Sequence, residues 1–288
     1  MTHPSLDRRL NAFRPDLADA GLQGRVEAAR FIAGKPARVT APVLDVRSAP
    51  RPDAGLDTQF LLGDEVRVFD EAEGFAWVQG VRDSYVGYVA AADLGALGPA
   101  ATHVVAVPRT FLYRGPDMKT RATAALSLGS RLRIADSATT RGTLYALLDT
   151  GEAAVAAHLR PLAAVDPDPV SVAETLERTP YLWGGTSAFG IDCSGLVQLS
   201  LAMAGRAAPR DTDMQGAALG RPFAIGDDLA GLKRGDLVFW KGHVAIMLDG
   251  DTIIHASGHA MMVVRERLAD AVRRIAGLYG RPVGFRRP

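Results

Sequence analysis

Tyr181-Leu182-Trp183-Gly184-Gly185 precedes Asp192-Cys193-Ser194-Gly195-Leu196, and these two stretches decide how the chain is read. Cys193 is the only cysteine of the 288 residues. It can form no internal disulfide and no cysteine-based metal cluster. A lone thiol is most often a small buried hydrophobe, so its neighbours must decide. Downstream, Leu196, Val197, Leu199, Leu201 and Met203 mark a largely buried helix over about 194–204, which puts the thiol at the helix start. Unpaired N–H groups and the helix dipole there favour an anion and lower a thiol pKa. Gly184 and Gly185 permit either close backbone approach or positive φ beside the sulfur.

A nucleophilic cysteine needs a base and a group that orients the base. Gly242-His243-Val244-Ala245-Ile246-Met247-Leu248 and Thr252-Ile253-Ile254-His255-Ala256-Ser257 flank Asp249-Gly250-Asp251, a hairpin signal. With Leu248-Asp249-Gly250 as a three-residue loop, residue i pairs with 498 − i and His243 lies opposite His255. Side chains so placed are about 5 Å apart at Cβ. This arrangement predicts a Cys193–His243–His255 triad of nucleophile, base and orienter. His259 falls in the following turn as an exposed bystander. A zinc site made of Cys193, His243 and His255 lacks the short-range ligand pairs usual for zinc.

Working outward, residues 1–36 predict an N-terminal helical segment, with a helix over about 24–33. An internal repeat follows. Leu62-Gly63-Asp64-Glu65-Val66-Arg67-Val68 matches Leu128-Gly129-Ser130-Arg131-Leu132-Arg133-Ile134 at an offset of 66, and Val89-Ala90-Ala91-Ala92-Asp93-Leu94 matches Val155-Ala156-Ala157-His158-Leu159. Short apolar runs punctuated by Gly, Pro, Asp and Ser read as strands. Two small all-β units fit this rhythm, at 37–98 and 99–165. The run at 62–68, Trp77-Val78 and Gly87-Tyr88-Val89 resemble a bacterial SH3 domain; in the second copy Tyr145 and Ala154 replace the aromatics. Val165-Asp166-Pro167-Asp168-Pro169 marks a boundary. Beyond it, helices over about 170–178 and 194–204 and strands from Asp236 onward make 166–288 an α+β region.

Apolar residues are 48% and charged residues 23% of the chain, an ordinary globular balance. Lys and Arg total 33 against 32 Asp and Glu. The chain therefore has no basic surplus for nucleic acid or an anionic membrane. No stretch approaches the ~20 apolar residues of a membrane span, and the first residues lack a secretory apolar core. The expected location is cytoplasmic.

Six separated motifs resemble, in order, those of the NlpC/P60 family: the two opening stretches, Pro209-Arg210-Asp211-Thr212, Arg234-Gly235-Asp236-Leu237-Val238-Phe239-Trp240, Gly242-His243-Val244 and Ile254-His255-Ala256-Ser257. The resemblance covers about 170–288. It implies a papain-like domain behind two SH3-like barrels, and a cysteine peptidase that cuts the γ-D-glutamyl bond to diaminopimelate or lysine in small murein peptides. In the SH3-bearing subgroup it further implies a required free N-terminal L-alanine. The ammonium of that alanine would be read by Asp192 and Tyr85, with Asp57 as a further candidate. Tyr181 and the backbone N–H of Cys193 would receive the oxyanion. Ser194 and Thr212 would line the site as hydrogen-bond partners. Arg210 and Asp211 would form a local ion pair or touch substrate. Each residue also has a plainer reading, Asp192 as a helix cap and Tyr85 as a packing aromatic. No metal or organic cofactor is implied. Two other functions compete: a non-catalytic wall-binding module, and a papain-like amidase or acyltransferase acting on another substrate.

Overall fold

The computed structural model describes residues 6–226 and 229–288. They divide into two compact units. One runs to Leu162 apart from Ala106–Pro108, and those three residues belong with Ala163–Pro288 in the other.

The first unit opens with β1 (Ala18–Asp19) and β2 (Phe31–Ile32), a short parallel pair. No helix forms over 24–33, contrary to the sequence expectation. Gly24 takes φ 78 and breaks any helical run, and Phe31 and Ile32 are drawn into the pair with Ala18 and Asp19. Docking outweighs local propensity here. Ala12 and Leu17 pack against Phe69 and Trp77, and the Arg14 guanidinium lies 4.3 Å from the centre of a Trp77 ring while reaching Asp70 at 2.6 Å. The segment is a strap on the β-sheet rather than a helical domain.

That sheet contains β3 (Lys35–Val39), β4 (Val43–Arg47), β5 (Leu56–Leu61), β6 (Glu65–Ala72), β7 (Phe75–Gly80), β8 (Val86–Ala90) and β9 (Leu94–Ala96), in the order β5-β4-β8-β7-β6-β3-β9. Alternation sorts its residues: Ala76 and Val78 enter a core with Val39, Val46, Phe60 and Val66, whereas Trp77 faces the strap. Trp77 pairs across the ladder with Tyr88. Among the described residues this ladder does not close on itself, so the expected closed barrel is not found.

The repeat is visible strand by strand. β10 (His103–Val105), β11 (Arg109–Tyr113), β12 (Ala122–Ser127), β13 (Arg131–Leu132), β14 (Ile134–Thr140), β15 (Thr143–Leu148), β16 (Ala153–Val155) and β17 (Leu159–Pro161) form sheets β12-β11-β16-β15-β14 and β13-β10-β17. End to end these reproduce the first order, with the counterpart of β6 split at Arg133. The turn bonds match as well. Gly63 N–H donates to Val39 O at 3.0 Å and Asp64 N–H to Leu61 O at 2.9 Å; Gly129 N–H donates to Val105 O at 3.0 Å and Ser130 N–H to Ser127 O at 3.1 Å.

The second unit is α+β. α1 (Pro169–Thr175) is capped by Asp168, whose carboxylate accepts from Val170 N–H. A small hairpin, β18 (Thr186–Ser187) with β19 (Gly190–Ile191), leads into α2 (Cys193–Met203), of whose 11 residues only Ala202 is not buried. α3 (Thr212–Ala218) follows. The sheet runs β20 (Arg221–Phe223), β25 (Gly284–Arg287), β21 (Leu237–Trp240), β22 (His243–Met247), β23 (Thr252–Ser257), β24 (Met262–Arg267), and α4 (Leu268–Tyr279) lies between the last two in sequence. Leu268, Ala271 and Ile275 of α4 pack on Val238, Trp240, Ala245, Met247 and Ile253, while α2 packs on β22 and β23. α2 is buried on nearly every side and takes Ser194, Gln198 and Ser200 into the interior with its apolar residues. No described helix is long and apolar enough to cross a membrane.

Candidate active site

The two stretches that open the reading fold onto one another. Asp192 is the N-cap of α2, and its carboxylate accepts from Gly195 N–H at 2.7 Å and from Gly184 N–H at 3.0 Å. Gly184 takes φ 75, and Gly185 lies so close to the β19 backbone that an added Cβ would meet Gly190 O at 2.4 Å. The glycine pair therefore meets both demands that the sequence left open, one at each residue. Gly195 closes the contact, because a Cβ there would lie 2.3 Å from Gly185 O.

Arg210 is 1% exposed, and both of its terminal nitrogens grip Asp192, at 3.0 and 2.6 Å. Ser194 joins them, donating to Asp192 at 3.2 Å and accepting from Arg210 at 2.7 Å. A buried cation needs such a counter-charge. Arg210 thus forms an ion pair with Asp192, 18 residues back. Asp211 sits at the N-cap position of α3, without a side-chain cap bond.

The backbone N–H of Val244 hydrogen-bonds to the Cys193 sulfur, and the Thr212 hydroxyl shares a hydrogen bond with it at 3.9 Å. The sulfur therefore lies beside the residue that follows His243. His243 Nε2 is 2.8 Å from His255 Nδ1. The β22–β23 register is Ile246 with Ile254 and Met247 with Ile253, so residue i faces 500 − i. The direct His243–His255 pairing expected from a Leu248-Asp249-Gly250 loop is thus displaced by two. The loop is Asp249-Gly250-Asp251, where Asp249 Oδ1 accepts from the N–H groups of Asp251 and Thr252. A shift of two keeps side chains on the same face, and the diagonal neighbours still touch. His259 is exposed in the turn after β23, as expected.

Sequence reasoning missed Glu266. Its Oε1 is 2.7 Å from His255 Nε2, and Arg274 of α4 pairs with the same carboxylate oxygen. The signal available was the β23–β24 register: His255 faces Val264, which puts Glu266 two residues along on the same face. Gln215 was also missed; its amide donates to Ser194 O and Pro209 O, both at 2.9 Å, and ties α3 to α2.

Burial sets the protonation states. It pushes the Cys193 thiol up to about 11, with the Asp192 charge acting the same way against the hydrogen bonds of Val244 and Thr212. The sequence expectation of a thiol made acidic by its helix start is thereby reversed, since loss of water outweighs the dipole. Burial also lowers the His243 imidazole to about 3, aided by His255 and Arg274 and opposed by Glu266. At neutral pH the pair rests as thiol and neutral imidazole. Burial, then the charges of Cys193 and Asp192, raise the Tyr181 phenol above its ordinary value, which keeps it a proton donor beside the sulfur. Burial works to raise Glu266, but the His255 hydrogen bond and the Arg274 charge leave it below the usual carboxylate range.

Tyr85 and Asp57 belong to the first unit. Tyr85 is 4% exposed, and its backbone N–H donates to Asp83. Asp57 is the second residue of β5 and is half-buried.

Known proteins agree with this architecture. The profile of the NlpC/P60 family matches residues 178–273, and that of the bacterial dipeptidyl-peptidase SH3 domain matches residues 46–94. Dipeptidyl-peptidase 6 of Lysinibacillus sphaericus is 30% identical over 241 residues, covering 76% of this chain and 86% of that protein. A γ-D-glutamyl-L-lysine dipeptidyl-peptidase of Bacillus cereus is 28% identical over 237 residues, covering 70% of this chain and 67% of that protein. In fold, the chain is similar to the crystal structure of an NlpC/P60 family protein from Bacillus cereus, with TM-score 0.71, 22% identity, and coverage of 88% of this chain and 99% of that one. A shared domain pair and a relative matched over most of its length settle the family: the chain belongs to the NlpC/P60 peptidases and carries an SH3 domain ahead of its papain-like hydrolase domain.

Proposed function

We propose that the protein is a cysteine endopeptidase that hydrolyses the γ-D-glutamyl bond to a diamino acid in small murein peptides with a free N-terminal L-alanine. Cys193 is the nucleophile, His243 the base and His255 the group that holds the base. The observation that supports this most directly is the Cys193 sulfur bonded to Val244 N–H, one residue from an imidazole that His255 fixes at 2.8 Å. Two relatives matched over most of their length bear the name dipeptidyl-peptidase, and the name of one specifies a γ-D-glutamyl-L-lysine substrate.

His243 takes the thiol proton as Cys193 attacks the γ-carbonyl carbon. The carbonyl π pair moves onto oxygen, toward the Tyr181 hydroxyl and the Cys193 N–H. Collapse breaks the C–N bond, and the diamino acid leaves as an amine that carries the proton from His243. Water, deprotonated by His243, then opens the thioester, and the sulfur regains its proton. Arg210 and Ser194 support Asp192, which fixes the start of the nucleophile helix. Thr212 steadies the sulfur.

We also infer that residues 99–162 form a second SH3-like unit. Its strand order and turn bonds repeat those of the first, which supports this reading.

Mass spectrometry of L-Ala-γ-D-Glu-meso-diaminopimelate and its lysine counterpart after incubation tests the peptidase reading. The expected products are L-Ala-γ-D-Glu and the free diamino acid. N-acetylation of the alanine should slow the reaction at least tenfold, and Cys193→Ala should abolish it. Hydrolysis by Cys193→Ala at the wild-type rate refutes the scheme, and equal rates on free and acetylated peptide refute the requirement for a free amino end.

A further inference from the structure

We infer that Glu266 is a positioning residue that dictates which nitrogen of His243 receives the thiol proton, a conclusion resting on the reading of Cys193 and His243 as nucleophile and base. Three hydrogen-bonding groups in a row fix where the protons lie. An ionised carboxylate only accepts. With Glu266 Oε1 2.7 Å from His255 Nε2, that nitrogen must carry a hydrogen. A His255 ring carrying one hydrogen then has its lone pair on Nδ1, which lies 2.8 Å from His243 Nε2. His243 must therefore donate from Nε2, and its own lone pair falls on Nδ1. One negative charge at the far end of the chain thus fixes a tautomer two side chains away.

Without that charge the chain has a second solution of nearly equal quality. His255 can donate from Nδ1 to His243 Nε2, which leaves the hydrogen of His243 on Nδ1. A nitrogen already bearing a hydrogen cannot accept the thiol proton, so this arrangement is inert. The His243–His255 pair is symmetric between the two, and neither histidine can choose alone. The charged groups that act on the pair come from two elements, Glu266 from β24 and Arg274 from α4. Arg274 pairs with the Glu266 carboxylate and holds it charged. His255 is 1% exposed and Glu266 21% in its side chain, so the contact is largely shielded from water.

The inference is tested in two ways. The first needs no turnover: 15N spectra of the histidine side chains in the free protein near pH 7 report each tautomer. Wild type is expected to show hydrogen on Nε2 of both His243 and His255, and Glu266→Gln a mixture at His243 that includes the Nδ1–H form. The second is kinetic. Glu266→Gln should lower kcat about 10- to 100-fold, the worth of one hydrogen bond to a charged group, with KM nearly unchanged, and Glu266→Asp should recover part of the loss. A purely structural role would lower stability and leave the tautomers of the folded fraction as in wild type. Hydrogen on His243 Nδ1 in wild type overturns the inference, as does a Glu266→Gln protein with wild-type tautomers and kcat. Because the spectra are read without substrate, they stand apart from the peptide assay: persistent hydrolysis by Cys193→Ala would remove the peptidase reading and leave the tautomer result as it was.

Discussion

At the scale of the residue, the sulfur is governed by solvation. A helix start contributes about 0.3–1 kcal/mol to an anion near it, whereas one pKa unit corresponds to about 1.4 kcal/mol. Cys193 is 6% exposed and its thiol is pushed up to about 11, so burial and the neighbouring Asp192 charge prevail. The free protein therefore holds a thiol, and in the proposed scheme the thiolate arises only as His243 takes its proton. Alkylation of the free protein by iodoacetamide should be slower at pH 7 than that of a free cysteine, and its rate should climb steadily from pH 7 through 9. A rate that has already levelled off by pH 7 would show a preformed thiolate and contradict this account. The meeting of His243 with His255 could be read from the sequence, because hairpin spacing is local. The sign of the thiol shift could not, since burial belongs to the tertiary structure. Nor could the grip of Arg210 on Asp192, which joins residues 18 apart through a loop of no regular period.

At the scale of the element, the site depends on how closely α2 meets the turn before it. Glycine inside a helix normally costs up to about 1 kcal/mol relative to alanine, so Gly195→Ala would be expected to stabilise an isolated helix. Here the added methyl would lie 2.3 Å from Gly185 O and 3.1 Å from Asp192 Oδ1. Turn and helix would have to separate, carrying Gly184 and the sulfur with them. Gly195→Ala is expected to destabilise the protein by about 1–3 kcal/mol, the range for overpacking, and to lower kcat at least tenfold. Denaturant unfolding and peptide turnover check both, and a stabilised, fully active variant would refute the packing argument. The hairpin offers a parallel lesson. Asp249-Gly250-Asp251 gave the turn away in the sequence, but the loop begins one residue later than propensity suggests, because Asp249 accepts from two backbone N–H groups. Parity survived and register did not. α4 shows the opposite case: Leu268, Ala271, Val272 and Ile275 carry a legible helical period within a stretch where the sequence expectation is strands from Asp236 onward.

At the scale of the whole molecule, the buried site leaves a signature in the pH dependence of stability. The folded protein holds His243 at about 3, below its ordinary 6.5, so between these values the unfolded chain binds a proton that the native state refuses. Stability is then present above pH 6.5 and lost as pH falls toward 3. Cys193 acts at the other end. Its folded value of about 11 exceeds the ordinary 9, so its contribution is full below pH 9 and is lost as pH rises through 11. Glu266, lowered in the folded state, adds to the loss in acid below the ordinary carboxylate value of 4.5. The expected profile is a plateau from about pH 6.5 to 9 with a decline on each side. Between pH 6.5 and 4.5 the His243 share amounts to roughly 2 kcal/mol. His243→Gln cannot titrate, so its stability should fall less steeply over that interval while its value at pH 8 changes in either direction through altered packing. Urea unfolding of both proteins at pH 8, 6.5 and 4.5 measures the difference in slope, and equal slopes would mean that the His243 imidazole is hydrated and ordinary in the native state.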